Sequence, residues 1–297
     1  MIRRLVSCLL LIAGFVAAGR AAEPPPFGDG RLWRVERDGQ AASHIFGTMH
    51  LSDPEITVLA PPVAAAFDGS TTVAGEIVID APTAIKLNQA LFLPAGQRLD
   101  GLLTAAQMAK VEAAAKLYHM PLGGLLRYKP WAVMAFFSVP KEELQRAAAG
   151  SQALDAQLQI DARAAGKRVV GLETVDEQIR VIDGLEIADQ VNLLELTLDS
   201  ILADDAIVDR MRDLYVAGDL GGLWTLYKTS FEGAEPTLAA RFDARFITDR
   251  NRLMVERMQA LLTDGGAFIA VGALHLPGEE GILNLLARQG YAVTPAE

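Results

Sequence analysis

The chain has 297 residues, of which 51% are hydrophobic and 22% charged. This is an ordinary globular composition, long enough for a full apolar core. The formal net charge is −10, and no basic patch with interleaved aromatics occurs, which argues against nucleic acid as a partner.

Residues 1–22 read as an export signal. Met1 to Arg4 supplies positive charge, and Leu5 to Ala18 is an apolar stretch too short for a stable membrane span. Small residues follow, with cleavage expected within about 19–22; cutting after Ala21 sets Gly19 and Ala21 at the small-residue positions. The mature protein is therefore expected outside the cytoplasm, periplasmic or secreted. Leu5-Val6-Ser7-Cys8 has the form of a lipoprotein signal, but too few apolar residues precede Cys8 for lipid anchoring there. Cleavage removes Cys8, the one cysteine. The mature chain then has no disulfide, no thiolate nucleophile and no cysteine zinc site.

Leu32 to Glu36 alternates as a strand, Gly39 marks a turn, and Ala42 to Gly47 is a second strand, so the pair reads as a hairpin. Pro61 to Phe67 is a short helix. Thr71 to Ile79 is β-branched and largely apolar, as expected of a strand buried on both faces. Helical patterns then dominate a section from about 104 to 262: 104–118, 130–137, 154–165, 175–182, 187–202, 206–216, 238–246 and 251–262, with a strand at 167–172 among them. Ala267 to Val271 is another apolar strand, 279–288 a helix, and 291–293 a closing strand. The expectation is one α/β domain over 23–297, with a central mixed sheet flanked by helices and a large helical insertion.

Two phrases match across this length. His44 to Leu51 and Phe268 to Leu276 each carry an apolar run, then Gly-x-x-His, then Leu, and two of the chain's four histidines, His50 and His275, close these motifs. A histidine just past a strand's carboxyl end lies where open α/β sheets place ligands, and glycine lets the backbone turn just before it. Two such imidazoles, with a carboxylate, could hold a divalent metal; the alternative for each is a hydrogen-bonded core histidine. Glu76 sits inside the apolar run 71–79, and a buried carboxylate needs a partner, a metal or a raised pKa; its alternative is the water-facing side of an edge strand. Glu173 ends a strand, where capping is the bland role. Arg250 and Asn251 begin a helix; the arginine could orient a carboxylate. His44 and Glu173 are candidates for supporting positions around the site. Asp53 and Asp80 stand at element ends where turns favour aspartate, His119 ends a helix, and Tyr128-Lys129-Pro130-Trp131 is a turn into a helix. No Gly-rich phosphate loop, Gly-x-Ser-x-Gly elbow or His-Glu-x-x-His helix occurs.

The ordered set of Phe46-Gly47-Thr48-Met49-His50-Leu51, Glu76, Lys129-Pro130-Trp131, Leu154-Asp155 with Gly166-Lys167, Gly171-Leu172-Glu173-Thr174 with Glu177-Gln178, Arg250-Asn251 and Val271 to Gly278 resembles the TraB/GumN family, which includes the Tiki metalloproteases. The resemblance covers nearly the whole mature chain. It implies a fold like that of erythromycin esterase and the haem-binding ChaN proteins. It also implies a protease dependent on a divalent metal, Mn2+ or Co2+, acting on a peptide or protein. Carried over by position, His50, His275 and Glu76 are the metal and catalytic residues, with Arg250 and Asn251 as the Arg-Asn pair. In the mechanism expected from this, Glu76 ligates the ion or deprotonates water, and Arg250 steadies the oxyanion. Two rivals remain: a metal-independent His/Glu esterase-like hydrolase, and a non-catalytic peptide- or haem-binding protein.

Overall fold

Six segments form strands: β1 Leu32–Glu36, β2 Ser43–Thr48, β3 Thr72–Gly75, β4 Arg168–Gly171, β5 Ala267–Gly272 and β6 Ala292–Pro295. The computed structural model describes residues 24–204, 206–231 and 236–297; the expected export signal and its expected cleavage point lie outside them. The strands make one sheet in the order β4-β3-β5-β2-β1-β6. Its β4, β3, β5 and β2 run parallel, and β1 and β6 pair antiparallel at the other side. The α/β class, the mixed sheet and the β1–β2 hairpin all match the sequence expectation.

Composition explains the order. All four residues of β3, and Ala267 to Val271 of β5, are buried, as a parallel strand covered on both faces requires. The edge strands β4 and β6 are partly exposed. Helix Leu154–Ala164 packs on β3 and β4, Asp249–Asp264 on β5, and Ile282–Arg288 on β6. Helix Ile187–Ala203 packs instead on Pro130–Phe137 and Ala105–Leu117, a second apolar layer in which Trp131 is fully buried. The helical section is not one uninterrupted insertion, since β4 lies within it and joins the sheet.

Several boundaries differ from the sequence reading. The strand expected to run to Ile79 stops at Gly75, because Gln159 takes the next backbone groups: its Nε2 donates to Ile77 O (2.8 Å) and its Oε1 accepts from Ile79 N (2.9 Å). Glu76 therefore stands just beyond the strand. The helix expected from Glu279 starts at Ile282, since Glu280 O accepts from Asn251 Nδ2 (2.8 Å). The helices expected at 238–246 and 251–262 join through a π-turn, Ala244–Thr248. Helices at Ala81–Ala90, Lys141–Ala149 and Leu220–Thr229 were not expected from the pattern.

The end of β4 is fastened by charge. Thr174 caps helix Val175–Asp183 in a reciprocal box with Glu177, and Arg257 donates to both Glu177 oxygens at 2.8 Å and to Leu172 O. The Arg257 hydrogen bonds and the Thr174 N–H hold the Glu177 carboxyl down at about 2, against an ordinary 4.5. A depressed acid stabilises the fold fully above its unfolded pKa and loses that contribution as pH falls through the folded one. Glu177→Gln should therefore lower the denaturant midpoint at pH 7 and flatten its decline between about pH 4.5 and 2. Identical profiles for the two proteins would contradict this.

Candidate active site

The carboxyl ends of four adjacent parallel strands meet on one edge of the sheet. Glu173 follows β4, Glu76 follows β3, Gly272 ends β5 with His275 three residues on, and His50 follows β2. Neighbouring strands lie about 4.8 Å apart, so residues distant in the chain become neighbours through sheet order alone.

The matched glycines serve close approach rather than a turn. Neither Gly47 nor Gly272 has a positive φ. A Cβ on Gly47 would fall 2.9 Å from Leu276 Cδ1 and 3.2 Å from Ala273 Cα, so the first phrase rests directly on the second. A Cβ on Gly272 would lie 3.1 Å from Glu76 Oε1, 3.5 Å from His275 Cδ2 and 3.9 Å from His50 Nε2. The two histidines and the glutamate thus border one point.

Glu76 is buried and clamped. Its Oε1 accepts from Gly272 N (2.7 Å), and its Oε2 from Arg250 Nη2 (2.6 Å) and Gln178 Nε2 (2.9 Å). Burial works to raise its pKa, but the charges of Arg250 and His50, with the Gly272 N–H, outweigh it and hold the carboxyl well below the usual range. Arg250 also grips Glu173 through Nε (2.9 Å) and Nη2 (2.6 Å). Glu173 is thus a buried ion-pair partner rather than a helix cap, the cap being Thr174. The Arg250 guanidinium spends Nε and Nη2 on the two carboxylates, with Nη1 3.5 Å from Phe246 O.

Both imidazoles are oriented through Nδ1. His50 Nδ1 meets Asp155 Oδ2 at 2.6 Å, and Thr48 Oγ1 donates to Asp155 Oδ1 at 2.6 Å. Burial pulls the His50 pKa down, but the Asp155 charge and hydrogen bond and the Glu76 charge prevail, lifting it to about 9. His275 Nδ1 donates to Asn251 Oδ1 at 2.6 Å, the amide being oriented by Asn251 Nδ2 on Glu280 O. Burial and the Arg250 charge depress His275 to about 3, so it is neutral. Its Nε2 carries the lone pair, is buried with no hydrogen-bond partner, and lies 3.7 Å from Glu76 Oε1. Asn251 is accordingly a positioning residue for His275.

The donor set fits a divalent ion in type and orientation: two inward Nε2 atoms, one carboxylate oxygen, and Nδ1 partners like those that orient metal-bound histidines. As the side chains stand, no three His, Cys, Asp or Glu groups among the described residues are close enough together to hold one.

Other candidates lie elsewhere. His44 is at the opposite end of β2, paired across to Arg34, its pKa lowered by burial and by that arginine; it is not a support for His50. His119 is an exposed helix end with φ 54°. Asp53 and Asp80 cap helices. Lys129 and Trp131 both donate to Asp183, and Tyr128 stacks on Phe92 at 4.7 Å. Asp155 and Gln178 were given no role by sequence reasoning, although Leu154-Asp155 and Glu177-Gln178 stand among the residues that carry the family resemblance. With the Asp155 charge gone, burial dominates at His50. Asp155→Asn should therefore drop the His50 pKa from about 9 to below the ordinary 6.5 in chelator-treated protein. Imidazole NMR titration measures this, and an unchanged value would refute the Asp155 role.

Fold and site together define an α/β protein whose paired histidines and clamped glutamate gather at the ends of parallel strands. The chain belongs to the TraB/PrgY/gumN family, whose model matches residues 31–295. It is similar to the metalloprotease TIKI2 of Danio rerio, 26% identical over 312 residues that cover 88% of this chain and 60% of the relative. Metalloprotease TIKI1 of Homo sapiens is 27% identical over 314 residues, covering 89% and 61%, and a TIKI homolog of Amphimedon queenslandica is 24% identical, covering 88% and 60%. The chain thus spans about three-fifths of the length of these relatives. No solved structure matches it. No helix among the described residues is long and apolar enough to cross a membrane.

Proposed function

We propose that this chain is a metal-dependent peptidase working outside the cytoplasm on a peptide or protein substrate, with His50, His275 and Glu76 holding the ion. The observation that carries this reading is His275 Nε2, a buried lone pair without a partner facing Glu76 Oε1. Leaving such an atom unsatisfied costs about 1–3 kcal/mol, a cost that a bound cation removes. Family membership and relatives named metalloproteases support the same reading.

A bound Mn2+ or Co2+ would supply a Lewis acid for the peptide carbonyl and a water acidic enough to attack it. The chain's own residues do the rest. Asp155 and Asn251 fix the imidazoles with Nε2 inward. Arg250, Gln178 and the Gly272 N–H keep Glu76 ionised, and its depressed basicity favours holding an ion over accepting a proton. Glu76 and Glu173 share one guanidinium while Asp155 stands on His50, so the site retains negative charge that welcomes a cation. In the ion's absence a proton on His50 offsets part of that charge, and ligation has to displace it. Hydrolysis of a peptide library should stop on chelation and return with Mn2+; rates indifferent to chelator would overturn the metal role.

One observation favours a second reading, a metal-independent His/Glu hydrolase. His50, paired with Asp155, keeps its proton at neutral pH and would act as the acid. Chelator-resistant hydrolysis lost in Glu76→Ala would select it.

A further inference from the structure

Two cavities flank His50, about 660 and 620 Å3 with their open mouths included. They differ in chemistry. The first contains Glu76, Asp155, Gln159 and Gln178 among apolar residues. The second, reached past His50 and His275, is walled by Met211, Tyr215, Leu223, Tyr227, Phe242 and Phe246. Its hydroxyls are already bound: Tyr215 donates to Gly47 O (2.9 Å), Tyr227 to Asp243 Oδ1 (3.2 Å), and Thr48 to Asp155 Oδ1. The rings therefore present only apolar surface, and a polar side chain entering there would lose its water without replacement. Phe242 and Phe246 stack at 3.7 Å and 10°, and Phe246 lies on the π-turn immediately ahead of Arg250, a departure from α geometry often found at functional sites.

We infer that the cavity beside His275 receives one bulky apolar side chain, leucine-like or aromatic, of the substrate residue next to the scissile bond. This deepens the peptidase reading and rests on it. Peptides identical except at that residue should be cleaved by the full chain with Mn2+ about tenfold or more faster, in kcat/KM, with Phe or Leu than with Ser or Asp. Leu223→Trp, which fills the cavity, should erase the preference. Met211→Ala, which enlarges it, should move the preference to larger aromatics. Opposite shifts in two variants cannot both come from misfolding. Equal cleavage of all peptides by wild type, or the two variants shifting the same way, would overturn the inference. If no peptide is cleaved, the peptidase reading fails, and the cavity is judged separately by fluorescence anisotropy of the labelled Phe and Ser peptides. A tenfold tighter Phe peptide, lost in Leu223→Trp, supports it, and equal affinities reject it.

Discussion

His50→Ala combined with His275→Ala is expected to abolish retained metal, read as ions per chain after dialysis against Mn2+ and removal of excess. The wild type should hold one ion. The reasoning is comparative. Outer hydrogen-bond partners of metal-bound histidines are each worth about 10–100-fold in metal affinity, so Asn251→Ala, which frees His275 Nδ1 from its oriented amide, should weaken binding by that amount. Removing the imidazoles takes away the donors themselves and should cost well over about 100-fold. Ranking the three proteins separates a metal site from a merely packed pair of histidines. Equal metal content in wild type and double variant would end the metal proposal, while the fold and the family assignment would stand.

Arg250→Met should produce the largest stability loss. The side chain is 4% exposed, and its partners Glu76 and Glu173 are 7% and 1% exposed. Methionine preserves much of the volume but leaves two buried carboxylates facing each other with only Gln178 between them. Breaking a buried ion pair from one side costs about 3–5 kcal/mol, because the remaining charge loses its compensation. The sign of the pH dependence follows. In the wild type, Arg250 and His50 hold the Glu76 pKa below its ordinary value. In the variant, burial and the Glu173 charge push it up, so protonation relieves the strain. The deficit measured by urea unfolding should be largest at pH 7 and shrink toward pH 5. Adding Glu173→Gln should recover part of it, since the two sites share one network. A deficit that does not change with pH would mean the loss is one of packing rather than charge.

The local legibility of this chain followed its periodicities. The apolar run Ala267 to Val271 and the alternation at Leu32 to Glu36 report a buried and a half-buried strand directly, because burial is a property of single residues at a known period. The helix starts expected at 104 and 175 stand within a residue of those observed, each opened by a threonine cap with its partner three residues on. The run Thr71 to Ile79 misled at its far end. Gln159, 80 and 82 residues away in sequence from Ile79 and Ile77, claims their backbone groups, and no local pattern contains those bonds. The two Gly-x-x-His phrases are alike in sequence but not equivalent in space. Thr48, not Gly47, pairs with Gly272, so the copies sit one residue out of step, and their histidines take different charge states from different partners.

By itself the sequence determined the fold class, the two histidines and the glutamate worth attention, and the family resemblance, since all of these rest on residue type and spacing along the chain. Only the tertiary structure decided that β5 inserts between β3 and β2, that Asp155 rather than His44 supports His50, and that Arg250 clamps two glutamates. The physical reason is that a period reports which side chains are buried but not which strand crosses over to become the neighbour. The partner of a buried charge is set by that crossover, and the chemistry of each group by that partner.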